Sequence, residues 1–82
     1  MRNVPKTLRT RRHEVLCTVI VEARKAAGLS QRQLATKLRW QQSSVAALER
    51  RERRVDVVEF LQLAEALDVP PLELLALVIL RR

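Results

Sequence analysis

The chain has 82 residues, with 16 Lys and Arg against nine Asp and Glu and a formal net charge of +7. This length corresponds to one domain, and the apolar content of 48% argues against disorder of the whole chain. Excess positive charge repels itself in a compact fold, so it indicates a polyanionic partner, with nucleic acid favoured over an anionic membrane surface. With no signal peptide and no apolar run near the roughly 20 residues of a membrane span, we expect a soluble cytoplasmic protein.

The sequence contains few residues that would indicate catalysis or metal binding. Cys17 and His13 are each the only residue of their kind, which excludes an intramolecular disulfide and a thiolate zinc cluster. We expect Cys17 to be a small, partly buried apolar residue and His13 to lie on the surface near the start of a helix. No nucleophile–base pair or carboxylate pair is apparent, so we predict no enzymatic activity, no metal, no cofactor and no small-molecule ligand.

The first part of the chain divides into an arm and a helix. Residues 1–10 are basic and contain Pro5, which predicts an arm that is either disordered or in contact with phosphates. Residues 11–27 are predicted to form the first helix, which Gly28 ends. Its apolar residues recur at steps of three and four: Leu16, Val19, Ile20, Ala23 and Ala27.

Two short helices follow over about residues 30–50, inside a predicted domain of residues 11–80. Ser30 and Gln33 have the spacing of a capping box, which predicts the start of the second helix. Its buried face consists of Leu34, Ala35 and Leu38. After an interruption at residues 39–40, Val45 and Leu48 predict a third helix over about 42–50.

The outer face of the third helix is polar and its ends are basic. The face carries Gln42, Ser43 and Ala46, with Gln41 and Ala47 at the margins and Arg50 at the end. The loop over residues 50–54 contains no apolar residue. This arrangement predicts a helix that crosses the second one with its polar side outward.

A fourth helix is predicted from Asp56, which forms a second capping box with Glu59. Its predicted core stripe is Val57, Phe60, Leu61, Ala64 and Leu67. Residues 68–71 break the pattern with two prolines, and a fifth helix runs from about 71 to 80. The fold class is therefore all-α, with five helices.

The fifth helix, within the terminal segment 71–82, is apolar on two sides. One stripe consists of Leu72, Leu75, Ala76 and Ile79, and the second of Leu74, Leu77 and Val78. Only one stripe can face the core of so small a domain, and a helix that is apolar all round must be buried all round. We therefore predict a homodimer formed through the second stripe.

The central segment resembles the phage-repressor and Cro-like helix-turn-helix family, also called the XRE family. The resemblance covers about residues 16–75 and implies a lambda-repressor-like fold that binds double-stranded DNA. The matching residues are Gly28-Leu29-Ser30-Gln31, Leu34-Ala35, Leu38, Val45, Leu48-Glu49 and Leu67-Asp68-Val69.

The resemblance also implies roles for individual residues. Gln31 would bind a phosphate, Gln42 would read adenine, Ser43 would be a weaker reader, and Arg24 would form an ion pair with Glu49. Ala46 and Ala47 would allow close approach to DNA, and either methyl could meet a thymine methyl. Phosphates would be held by Arg50, Arg51, Arg53 and Arg54, and Arg32, Gln41 and Ser44 complete the predicted DNA-binding residues.

The chain departs from the family pattern around the turn. Arg39 occupies a position where many members have glycine, so it must adopt a left-handed conformation or reshape the turn. Trp40 replaces a smaller apolar residue and is expected to pack in the core. Gln41 stands where Ser or Thr usually caps the third helix.

Two functions remain open at this point. The first is a transcriptional regulator that binds a palindromic operator as a homodimer, in the cytoplasm at the nucleoid. The second is a protein-binding module, such as an antitoxin or an adaptor, for which the apolar C-terminus offers a surface.

Overall fold

The computed structural model describes residues 10–81, and within them the chain forms five helices and no strand. This confirms the predicted all-α fold; of the predicted arm, residues 1–9 lie outside the described part. Thr10 caps the first helix, because its hydroxyl accepts a hydrogen bond from the His13 backbone N–H at 3.1 Å. The helices are α1 (Arg11–Ala26), α2 (Gln31–Leu38), α3 (Gln42–Glu49), α4 (Val57–Leu67) and α5 (Pro71–Leu80).

Each of the first four helices is followed by a residue in the left-handed conformation. These residues are Gly28, Arg39, Arg51 and Asp68, with φ between 59° and 75°. The next residue along donates its backbone N–H back into the helix, for example from Trp40 to the Ala35 carbonyl at 2.9 Å. This is the Schellman arrangement, which satisfies carbonyls that a helix end leaves without partners. Only the first of the four is glycine, so Arg39 and Arg51 hold a conformation that costs a side-chain-bearing residue about 1–2 kcal/mol.

The core consists of two clusters, and both α1 and α4 contribute to each of them. The first cluster lies between α1, α2, α3 and α4, and includes Ile20, Leu34, Val45 and Leu48 without solvent exposure. The second lies between α1, α4 and α5, and consists of Val15, Val19, Ala64, Leu74 and Val78. Because α1 contributes to both, it holds α5 and the α2–α3 pair on opposite sides of one helix.

The face of α4 that packs into the core agrees only in part with the prediction. Ala64 and Leu67 are buried and Phe60 is half-buried, as predicted, whereas Val57 is 75% exposed and Leu61 is 48% exposed, and Leu63 is buried instead. Two apolar faces run along this helix, and periodicity cannot decide which of them meets the core.

The orientation of α5 is also different from the prediction. Leu74 and Val78, which were expected in the dimer interface, are buried in the second cluster of the same chain. Leu77 is half-exposed on one flank of the helix. The other predicted stripe, with Leu72, Leu75 and Ile79, is the one that faces outward.

His13 is buried rather than on the surface. Only 8% of the residue is exposed, and its Nε2 lies 3.5 Å from Sγ of Cys17, which is itself 1% exposed. Burial lowers the pKa of His13 from 6.5, the backbone of Arg53 opposes this shift, and the charge of Arg54 adds to it. Burial also raises the pKa of the Cys17 thiol to about 11, so the thiol stays neutral near neutral pH.

The depressed histidine pKa predicts a loss of stability on mild acidification. As pH falls below 6.5, the unfolded chain takes up the proton before the folded chain does, which favours unfolding. We expect the free energy of unfolding to decrease between pH 7 and about 5.5, the range in which an ordinary histidine titrates. Urea denaturation at each pH measures this change. Because His13 is the only histidine, the His13→Leu variant should give a nearly flat profile over that range. A wild type with an equally flat profile would contradict the prediction.

Candidate nucleic-acid interface

The pair α2 and α3 is joined by residues 39–41. The capping box that begins α2 is complete, with the Ser30 hydroxyl accepting from Gln33 N–H at 3.0 Å and Gln33 Oε1 accepting from Ser30 N–H at 2.8 Å. Arg39 takes the left-handed conformation that the turn requires, and Trp40 packs half-buried against the first core cluster, as expected. Gln41 precedes α3 without a capping hydrogen bond from its side chain; its backbone carbonyl instead accepts from the Ser44 N–H at 2.9 Å.

Burial divides α3 into an inner and an outer side. Val45 and Leu48 are fully buried, which fixes the inner side against α2 and α1. Gln42 and Ser43 are exposed at the first turn, together with Gln41 before the helix. Ser44, Ala46 and Ala47 lie half-buried at the margins. The short side chains at positions 43, 46 and 47 leave the backbone of α3 accessible to a partner.

An ion pair between Arg24 and Glu49 joins α1 to the end of α3, as the sequence predicted. Arg24 Nε lies 2.6 Å from Glu49 Oε2, and Arg24 Nη2 lies 3.1 Å from Oε1. The two side chains are 12% and 8% exposed. Arg24 Nη1 donates to the Leu29 carbonyl at 2.8 Å, so the same guanidinium also holds the loop that precedes α2.

Gln31 has partners that the sequence did not predict. Its Nε2 donates to Glu49 Oε1 at 2.9 Å, and its Oε1 accepts from Gln42 Nε2 at 2.9 Å. The predicted role for Gln31 was contact with a phosphate, whereas its side-chain amide here lies between two residues of α3. Sequence periodicity could not reveal this contact, because Gln31 and Glu49 are 18 positions apart.

The loop after α3 presents its arginines in different ways. Arg50 and Arg54 are exposed, and Arg50 pairs with Glu52 at 3.1 Å in open solvent. Arg51 is exposed and left-handed, with φ 66°. Arg32 is exposed on the first turn of α2. Exposed cationic side chains are therefore present on the first turn of α2 and in the loop that directly follows α3.

Arg53 is engaged within the chain. Its Nη2 lies 2.9 Å from Glu59 Oε2, and its guanidinium carbon lies 4.6 Å from the centre of the Trp40 ring. Nη1 is buried. These contacts join the loop after α3 to α4 and to the turn before α3. Arg53 was predicted to be an exposed phosphate contact, and its side chain is instead held by contacts within the protein.

Neither a membrane span nor a metal cluster is found in the part of the chain that the structure describes. No helix within residues 10–81 is long and apolar enough to cross a bilayer. The same residues contain no group of three or more His, Cys, Asp or Glu side chains arranged to hold a metal ion.

The geometry defines a helix-turn-helix module with an exposed polar second helix. A family model described as helix-turn-helix matches residues 20–74. An XRE-family like protein from Pseudomonas syringae pv. tomato str. DC3000 is 38% identical over 90% of each chain, with a TM-score of 0.81. The chain therefore belongs to the XRE family of DNA-binding helix-turn-helix proteins.

Two solved structures of restriction-modification controller proteins are also similar. C.AhdI from Aeromonas hydrophila is 40% identical, covers 76% of this chain and 94% of its own, and has a TM-score of 0.70. The C.Esp1396I tetramer, in complex with its natural 35 base-pair operator, is 20% identical over 85% of this chain and 92% of its own, with a TM-score of 0.79. At that identity C.Esp1396I shows the fold alone. A search of curated proteins gives no match.

The contrast between Arg53 and its neighbour gives a stability prediction. Arg53→Ala removes a half-buried ion pair and a cation–π contact, so we expect the free energy of unfolding to fall by about 1–2 kcal/mol. Arg54→Ala removes the same charge from an exposed side chain and should leave stability nearly unchanged. Urea denaturation at one salt concentration measures both variants. Equal stability of the two would show that the Arg53 contacts contribute nothing.

Proposed function

We propose that this protein is a transcriptional regulator that binds double-stranded DNA sequence-specifically, with α3 in the major groove. The observation that carries the proposal is the outer side of α3, where Gln42 and Ser43 are exposed, together with exposed arginines on the first turn of α2 and in the loop after α3. An α-helix fits the major groove, where each base pair presents a distinct set of donors and acceptors. The net charge of +7 supplies the long-range attraction to a polyanion.

The residues divide into base readers and phosphate contacts. Gln42 is the principal reader, since its amide can accept from adenine N6 and donate to N7 together. Ser43 is a second reader, Ala46 and Ala47 allow close approach, and Gln41 and Ser44 complete the surface that meets DNA. Phosphate contacts come from exposed cationic side chains and from the N-terminus of α2 at Gln31, and these position the protein without specifying sequence. The cationic residues are Arg32, Arg50, Arg51 and Arg54.

A homodimer is the second part of the proposal, on a surface that differs from the one predicted from sequence. An apolar groove runs between α4 and α5, lined by Val57, Leu61, Leu72, Leu75 and Ile79. Leu72 is 81% exposed and Ile79 is 46% exposed, which is unfavourable for large apolar side chains in water. A two-fold axis through this surface would pair it with itself and present two α3 helices to a near-palindromic operator, about 34 Å apart.

The same apolar surface supports the alternative function, a module that binds another protein. An antitoxin or adaptor would use it for its partner and would have little need for the polar side of α3. Binding to a pool of random duplexes at low salt separates the two functions. Absence of DNA binding there would favour the protein-binding module.

Substitution of the principal reader tests specific binding. After selection of a preferred site from random duplexes, Gln42→Ala should weaken binding to that site by about 1–3 kcal/mol and change binding to random duplex little. Arg54→Ala provides the matched control. It should weaken binding to both duplexes alike and reduce the slope of log affinity against log salt by about 0.9. An equal loss on both duplexes for Gln42→Ala would mean that Gln42 reads no base.

Matched pairs of substitutions on α5 test the dimer surface. Leu72→Glu with Ile79→Glu places two charges in the groove, whereas Leu80→Glu with Leu77→Glu places two charges on the opposite flank at similar exposures. Sedimentation should show a dimer for the wild type and the second variant, and a monomer for the first. A wild type that is monomeric at tens of micromolar, where modest interfaces already form, would contradict the dimer. If only the second variant is monomeric, the interface lies on the Leu77 flank of α5 instead.

A further inference from the structure

Four side chains form a continuous chain of hydrogen bonds from the interior to the outer side of α3. Arg24 donates to Glu49, Glu49 accepts from Gln31, and Gln31 accepts from Gln42, with the three contacts at 2.6–3.1 Å. Exposure rises along this chain: Glu49 is 8% exposed in its side chain, Gln31 is half-buried and Gln42 is exposed.

The chemistry of Glu49 gives this chain of hydrogen bonds a direction. A carboxylate only accepts hydrogen bonds, so the amide of Gln31 must turn its Nε2 toward Glu49. The Oε1 of Gln31 then faces Gln42 and accepts from its Nε2. That contact uses one N–H of Gln42, and leaves Oε1 and the second N–H free. These two groups are the acceptor and donor that match N6 and N7 of adenine.

We propose that Glu49 is a positioning residue that sets the base preference of α3. Through Gln31 it holds the amide of Gln42 in the orientation that reads adenine. The inference rests on the proposed function of Gln42 as a base reader. It assigns to the Arg24–Glu49 pair a role in specificity besides its role in holding α1, α2 and α3 together.

Replacement of the Glu49 carboxylate by an amide should reverse the donor–acceptor direction of these hydrogen bonds. Both oxygens of Glu49 accept from Arg24, so the amide of Glu49→Gln must give up one of these contacts. The contact at 2.6 Å with Nε is shorter than the one at 3.1 Å with Nη2, so we expect the amide oxygen to keep the first and the new Nε2 to take the position of Oε1, where it faces Gln31. Gln31 then turns its oxygen toward residue 49 and its Nε2 toward Gln42. Gln42 in turn presents its own Nε2 to the groove. Two donors match the O6 and N7 acceptors of guanine rather than adenine.

The first experiment measures affinity for four duplexes that differ only at the base pair read by Gln42. We expect the wild type to prefer adenine by roughly five- to a hundredfold. In Glu49→Gln this preference should be lost or pass to guanine, while circular dichroism verifies that the variant is folded. A folded variant with the wild-type adenine preference would overturn the inference and leave the proposed function intact. A wild type without any base preference would instead refute the proposed function.

A second variant covers the case in which Glu49→Gln does not fold. Gln31→Leu removes the hydrogen bonds that link Glu49 to Gln42 but keeps the buried ion pair between Arg24 and Glu49. Loss of a phosphate contact at position 31 would weaken binding to all four duplexes alike, so the readout is the ratio between them. We expect the affinity for the adenine duplex, divided by the affinity for each of the other three, to fall toward one. The control Gln62→Leu, at an exposed glutamine on α4, should keep the wild-type ratio. An unchanged ratio in Gln31→Leu would overturn the inference.

A measurement on the free protein is independent of DNA binding. One proton of the Gln42 side-chain NH₂ donates to Gln31 in the wild type, so nuclear magnetic resonance should show it protected from exchange with water. The protection should disappear in Gln31→Leu and also in Glu49→Gln, where Gln42 becomes the acceptor. Protection that persists in a folded Glu49→Gln variant, or that is absent in the wild type, would refute the proposed orientation.

Discussion

The contact between Arg24 and Glu49 lies where α1, α2 and α3 meet, and the position of α3 depends on it. Its two side chains are largely removed from water, so separating them would leave a charge without a partner. The same two side chains form further hydrogen bonds, since Arg24 donates to the Leu29 carbonyl and Glu49 accepts from the Gln31 amide. One polar contact thus connects a core helix, the loop before α2 and both helices of the module.

Apolar packing alone would specify this arrangement less sharply. The first core cluster is built almost wholly from Leu, Val, Ile and Ala, which attract each other without strong directional preference. Hydrogen bonds depend on both distance and angle, so the groups around Glu49 admit few relative positions of α1 and α3. The contacts of Arg53 with Trp40 and Glu59 provide a second directional interaction, which joins the loop after α3 to the turn before it and to α4. Directional contacts therefore hold α3 itself through Glu49 and link the segments at its two ends through Arg53.

The end of the domain that contains α5 is held mainly by apolar packing and carries an exposed apolar surface. The second cluster joins α5 to α1 and α4 through side chains of modest size, and an ion pair at 2.8 Å joins Arg81 to Glu22. A large apolar surface remains uncovered on α4 and α5. Because α1 lies between the two clusters, a partner bound to this surface would be held at a fixed orientation relative to α3. In the proposed two-fold dimer that geometry would set the separation of the two α3 helices.

The sequence by itself determined the local structure of this protein. Capping residues, apolar periodicity, the single glycine and the two prolines are short-range signals, and they were sufficient to predict five helices and the polar side of α3. Family resemblance added the Arg24–Glu49 pair. The tertiary structure decided which faces of α4 and α5 are buried, because both helices are apolar on more than one side. It also decided the burial of His13, the contacts of Arg53 and the hydrogen bonds of Gln31, since these depend on residues distant in sequence that only packing brings together.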